Sequence, residues 1–90
     1  MHGLGGSSAD MEGLIDYFID SGTIPIFPQA YFYEDLPDIG STTVWNFGAL
    51  PELYSDVQFI EDLIDHMVLN HSFIDTNRVY ATGYSAGGYM

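Results

Sequence analysis

Gly83-Tyr84-Ser85-Ala86-Gly87 has the types and spacing of a serine nucleophile held at a glycine-tight turn between a strand and a helix. At Gly83 and Gly87 a side chain would crowd the close approach of strand, turn and helix. The turn then pushes the Ser85 hydroxyl outward, where a base can reach it and where it can attack a carbonyl carbon. Such an attack creates a negative oxygen that needs two preorganised N–H donors. The Ala86 amide, one residue past the serine, is placed to be one of them.

The second donor is expected at the opposite end of the chain. His2-Gly3-Leu4-Gly5-Gly6 is a glycine-rich loop feeding a helix, and the Gly3-Leu4 region can turn an amide toward the same oxygen. The two ends should therefore meet. His2 reads as a residue that shapes the loop, not as a base.

Several elements must hold these two ends. Met11, Leu14, Ile15, Phe18 and Ile19 form one apolar stripe of a first helix, with Ser8 as its cap and Gly22 as its stop. Thr23 to Phe27 reads as a short buried strand with Pro25 near its start. From Pro28 to about Tyr54 no period persists, so a long loop is expected. Ser55 with Gln58 makes a capping box for a second helix, whose stripe runs through Val57, Ile60, Leu63, Ile64, Met67 and Val68 to about Asn70. Asp75-Thr76-Asn77 is a polar turn, and Arg78 to Thr82 a strand entering the glycine-serine turn. Helices alternating with strands predict an α/β protein with a parallel sheet. Two parallel strands do not make a stable sheet, so strands are expected to be missing at both ends of residues 1–90.

Composition narrows the partners. Thirteen carboxylates face one arginine and no lysine, a formal net charge of -12. Nothing is available to neutralise phosphates, which argues against nucleic acid and against an anionic membrane surface. The hydrophobic share of 47% argues against a disordered chain. With no cysteine there are no disulfides or thiolate metal sites, and no run nears the roughly 20 apolar residues that span a bilayer. Met1-His2-Gly3 does not resemble the start of a signal peptide.

In order and spacing, residues 2–90 resemble the polyhydroxybutyrate depolymerase and feruloyl esterase family, a branch of secreted α/β-hydrolases. The matching pieces are the His2-Gly3 loop, Phe27-Pro28-Gln29-Ala30, Asp56-Val57, Ile74-Asp75, Arg78-Val79-Tyr80 and Thr82 to Gly88. The resemblance implies part of an α/β-hydrolase domain, from oxyanion loop to nucleophile turn. It implies hydrolysis of carboxylic esters, polymeric or of the feruloyl or acetyl type, through an acyl-enzyme at Ser85. Leu4 and Ala86 would then donate to the oxyanion; no cofactor or metal is implied, and the location would be extracellular or periplasmic. The acid and histidine of that family follow the serine, whereas this sequence ends five residues after Ser85. A small-ester carboxylesterase, a dienelactone-hydrolase-like enzyme, or an inert truncated product are the alternatives.

Other residues carry simpler readings. His66 and His71 precede the nucleophile and miss the spacing that puts two imidazoles on one helical face. Asp56 suits the start of a helix, Asp75 and Asn77 suit an Asx turn, and Arg78 suits a pair with a nearby carboxylate. Tyr31, Phe32, Tyr33 and Trp45 are placed either to pack under the long loop or to offer aromatic faces to a substrate. Trp45, with Tyr84 beside the nucleophile, is the candidate substrate contact.

Overall fold

The structure, a computed structural model, describes residues 1–48 and 50–90. After the opening loop a 3₁₀ segment, Ser8–Leu14, runs into helix α1, Ile15–Asp20. Its cap is Ser7 and not Ser8: the Ser7 N–H donates to the Asp10 carboxylate at 2.6 Å. Gly22 ends α1 at φ +75°, where a residue without Cβ is at ease. Its N–H bonds to Ile19 O at 2.9 Å, and the Thr23 N–H to Phe18 O at 3.1 Å, which is the paired pattern of a Schellman stop.

The region expected as an unbroken loop contains a hairpin. Strand β1, Phe32–Leu36, pairs antiparallel with β2, Gly40–Thr43, in the register Phe32 to Thr43, Tyr33 to Thr42 and Leu36 to Gly40. Three steps along β1 thus oppose two along β2, and the extra residue is taken up near Asp35, which has φ 54°. Asp38 at φ 65° and Gly40 at φ 80° turn the chain between the strands. Neither strand alternates cleanly between apolar and polar residues, so no period marked them; turn chemistry and pairing made them.

Helix α2, Asp56–Asn70, spans the predicted second helix. Phe59, Ile60, Leu63, Ile64, Met67 and Val68 are half-buried along one face, while Val57 is exposed. The Ser55 to Gln58 capping box does not form: Gln58 Nε2 bonds instead to Asp62 Oδ1 at 2.9 Å, one turn ahead. Asp75 and Asn77 make the Asx turn, with the Asn77 N–H on Asp75 Oδ1 at 3.0 Å, and Arg78 Nε lies 3.3 Å from Asp75 Oδ2. A second 3₁₀ segment, Ser85–Tyr89, follows the glycine-serine turn.

These elements correct the fold expected above. The sheet among the described residues is two-stranded and antiparallel, not the parallel, helix-flanked sheet of an α/β-hydrolase. Thr23 to Phe27 and Arg78 to Thr82 are not strands. A strand exists only where a neighbour lies within hydrogen-bonding reach of its edge. No such ladder forms along either segment, and Ile24, Ile26, Val79 and Tyr80 are exposed. What forms is a small domain of two helices and a hairpin, an architecture not specific to α/β-hydrolases or to esterases. No described helix is long and apolar enough to cross a membrane.

The fully buried interior is small and mixed. Ala30, Val44 and Trp45 are its apolar members, and His2, Asn46 and Asp56 its polar ones. The accessible surface is 6428 Å², against roughly 5,200 Å² for a folded monomer of this mass. The radius of gyration of 14.2 Å likewise exceeds the roughly 12 Å of a compact chain this long.

Candidate functional site

The opening loop and the glycine-serine turn lie side by side. The Met1 ammonium donates to Thr82 O at 2.7 Å, and the Tyr84 N–H donates to Met1 O at 3.0 Å, so the two ends are clasped on either side of Gly83. Burial lowers the pKa of that ammonium from its ordinary value. A Cβ on Gly3 would stand 3.5 Å from the Ser85 Cβ and 3.4 Å from the Tyr84 ring, ordinary contact distances.

Ser85 sits at φ 52°, in the left-handed region that a residue with a Cβ seldom occupies. Two glycines hold it there. A Cβ on Gly83 would overlap the Gly87 carbonyl, and one on Gly87 would overlap the Met1 carbonyl and reach His2 O at 2.5 Å. All of these obstacles are backbone, which cannot swing aside. The side chain of Ser85 is exposed, Tyr84 before it is 73% exposed, and Gly87 behind it is buried. Within the turn, the Gly87 N–H bonds to Tyr84 O at 3.0 Å.

Leu4 is exposed on the loop, and its N–H takes no acceptor among the described residues; nor does that of Ala86. The two loop amides after Leu4 are bonded. The Gly6 N–H closes onto Gly3 O at 3.1 Å, and the Gly5 N–H reaches Thr43 O on β2 at 2.9 Å. Thr43 Oγ1 returns a bond to Gly6 O at 2.7 Å. The hairpin thus fixes the loop, a role that no sequence period signalled.

His2 is 1% exposed and uses both ring nitrogens in the same structure. Nδ1 lies 2.8 Å from Gly3 O, and Nε2 accepts the Ala30 N–H at 3.0 Å, so the neutral Nδ1–H tautomer satisfies both. An imidazole bonded this way has no lone pair left for a serine proton. Trp45 is also 1% exposed: its indole N–H donates to His2 O at 2.8 Å and its ring lies 5.1 Å from the imidazole. It packs under the opening loop, buried against His2. A large amphipathic ring is buried here because its one polar atom finds a carbonyl.

Asn46 and Asp56 were legible only in part. The Asn46 N–H donates to Asp56 Oδ2 at 2.6 Å, and the Asp56 N–H donates back to Asn46 O at 3.0 Å. Asn46 Nδ2 bonds to the carbonyls of Leu50 and Tyr54 at 2.9 and 3.0 Å, while Oδ1 takes the N–H of Leu50 at 3.1 Å. One amide side chain therefore organises the turn that delivers Asp56 to the start of α2. An asparagine next to a tryptophan in a glycine-containing stretch is the only hint that the sequence offers.

The Ser85 hydroxyl has no hydrogen-bond partner among the described residues. His66 lies on α2 against Asn70, and His71 just past the helix against Phe73. No set of three or more histidines, aspartates and glutamates among the described residues is arranged to hold a metal ion.

Two phenols are perturbed, Tyr33 on β1 and Tyr54 just before α2. Tyr33 is raised above its ordinary value by desolvation, then by the charges of Asp56 and Tyr31. Tyr54 is raised too, by desolvation, by the bond its hydroxyl donates to Asp62 at 3.1 Å, and by the charges of Asp62 and Asp56. A phenol whose folded value is raised holds its proton more tightly in the fold. Its contribution is complete below the unfolded value of about 10 and is lost as pH rises through the folded value. Alkaline titration followed by phenolate absorbance should show two tyrosines ionising later than free tyrosine. Stability should fall over the same pH interval.

Comparison with protein-family models, with characterised proteins and with solved structures returns no match to this chain.

Proposed function

We propose that Ser85 is the nucleophile of an acyl-transfer reaction on carboxylic esters. The carrying observation is its φ of 52° in an exposed turn wedged between two glycines that cannot bear a Cβ. Left-handed backbone at a residue with a side chain costs about 1–2 kcal/mol, and such strain persists where the surroundings over-determine it, often at functional sites. Here those surroundings are the clasped chain ends.

In this reading the hydroxyl oxygen attacks the ester carbonyl and its proton passes to a base. The carbonyl oxygen becomes an oxyanion, for which the Leu4 and Ala86 amides are the donors. Collapse expels the alcohol and leaves an acyl group on Ser85, which water then removes. The opening loop contributes shape and amides, and His2 locks its conformation. Tyr84, exposed beside the nucleophile, is the residue offered to the acyl or alcohol portion. The resemblance to the depolymerase and feruloyl esterase family favours polyester or aromatic ester substrates.

The unpartnered Ser85 hydroxyl favours a second reading, in which this 90-residue chain does not turn over. The two separate experimentally. Prolonged exposure to a fluorophosphonate, with the adduct mapped by mass spectrometry, should place the label on Ser85 and lose it in Ser85→Ala. Hydrolysis of a nitrophenyl ester by the same preparation should stay near the buffer rate, because no base is hydrogen-bonded to the hydroxyl. Labelling that is unchanged in Ser85→Ala would remove Ser85 from the chemistry.

A further inference from the structure

The hairpin and α2 do not pack on one another. Between them lies an open cleft of about 620 Å³, a volume in the range of small-molecule sites. Its walls include Tyr31, Tyr33, Thr43, Tyr54, Asp56 and Phe59. Tyr31 and Tyr33 meet edge to face with ring centres 4.9 Å apart, and Tyr54 and Phe59 bring two more rings from the α2 side. None of these walls belongs to the Ser85 turn.

A carboxylate sits among these rings. Asp56 is 6% exposed, and its Oδ2 is held by the Asn46 N–H at 2.6 Å. Oδ1 receives no hydrogen bond among the described residues, yet no fully enclosed side-chain oxygen there lacks a partner, so Oδ1 keeps an opening. No lysine, arginine or histidine lines the cavity, and Arg78 is bound to Asp75 elsewhere. The start of α2 offsets about half an elementary charge. Asp62, which accepts the Tyr54 hydroxyl, adds a further negative charge behind that ring.

We propose that this cavity binds a small organic cation of the quaternary or alkylated ammonium type, seated on the tyrosine and phenylalanine faces with Asp56 as counter-charge. Ring faces attract a cation through their quadrupole. A methylated ammonium spreads its charge over apolar groups that fit such walls, which a strongly hydrated metal ion does not. The overall charge of -12 draws cations toward every face, and here aromatic rings line the same cleft as a carboxylate.

The test compares choline with its neutral isostere 3,3-dimethylbutan-1-ol, by calorimetry and by proton NMR of the ligand on the whole chain. Choline should bind at least ten-fold tighter, with its N-methyl resonance shifted upfield by the rings. Asp56→Asn keeps an acceptor for the Asn46 N–H and should weaken choline about ten-fold while leaving the alcohol unchanged. If that variant loses its helical circular dichroism, Tyr33→Leu replaces it, with loss of both the upfield shift and most of the affinity expected. Equal binding of the two ligands, no binding of choline, or choline affinity untouched in a folded variant would each overturn the proposal.

Discussion

Trp45→Ala is expected to abolish cooperative unfolding of this chain. Replacing a buried tryptophan by alanine costs about 3–5 kcal/mol through lost transfer energy and the cavity left behind. The substitution also strips His2 O of the indole N–H it accepts at 2.8 Å, leaving a carbonyl unpaired in the interior. Among the described residues, Ala30 and Val44 alone would remain as fully buried apolar residues, too little to replace what is lost. A domain of this size has about 5 kcal/mol of stability or less. Urea titration by circular dichroism should give a sloping profile with no transition where the parent shows one. A variant that retained the parental midpoint would mean that Trp45 is not the anchor of the loop.

Gly87→Ala should be nearly as damaging, for the opposite reason. The added methyl would enter space held by the Met1 and His2 carbonyls, and the backbone on one side must retreat. Overpacking of this kind costs about 1–3 kcal/mol, and more where only backbone can move. The retreat would break the Tyr84 N–H to Met1 O bond and part the two chain ends. Hydrogen exchange should report it locally as faster exchange of the Tyr84 amide. Fluorophosphonate labelling of Ser85 should fall at least ten-fold. Gly88→Ala is the control: its Cβ would meet nothing closer than Gly83 O at 3.2 Å, a contact that a small shift relieves. If the two variants behaved alike, the clasp would not depend on Gly87.

The expectations drawn from periodicity and from local chemistry have counterparts in the fold where the information lies within a few residues. The stripe from Ile60 to Val68 specified α2 to its last turn, because i, i+3 and i+4 neighbours report the buried face of any helix. Gly22 ended α1 through its own φ, and Asp75 with Asn77 closed a turn by one local bond. Asp56 has the helix-start position expected of it, although its second bond, to Asn46, was invisible.

Sequence alone located the second helix, the stop at Gly22 and the turn at Asp75, and it set Ser85 two residues from a glycine on each side. Tertiary structure decided the rest. It decided that Thr23 to Phe27 and Arg78 to Thr82 form no ladder while Phe32–Leu36 and Gly40–Thr43 do. It decided too that Trp45 and His2 are buried against each other. Strand pairing and burial depend on which distant segment supplies the matching edge or surface. The types of nearby residues carry no record of that.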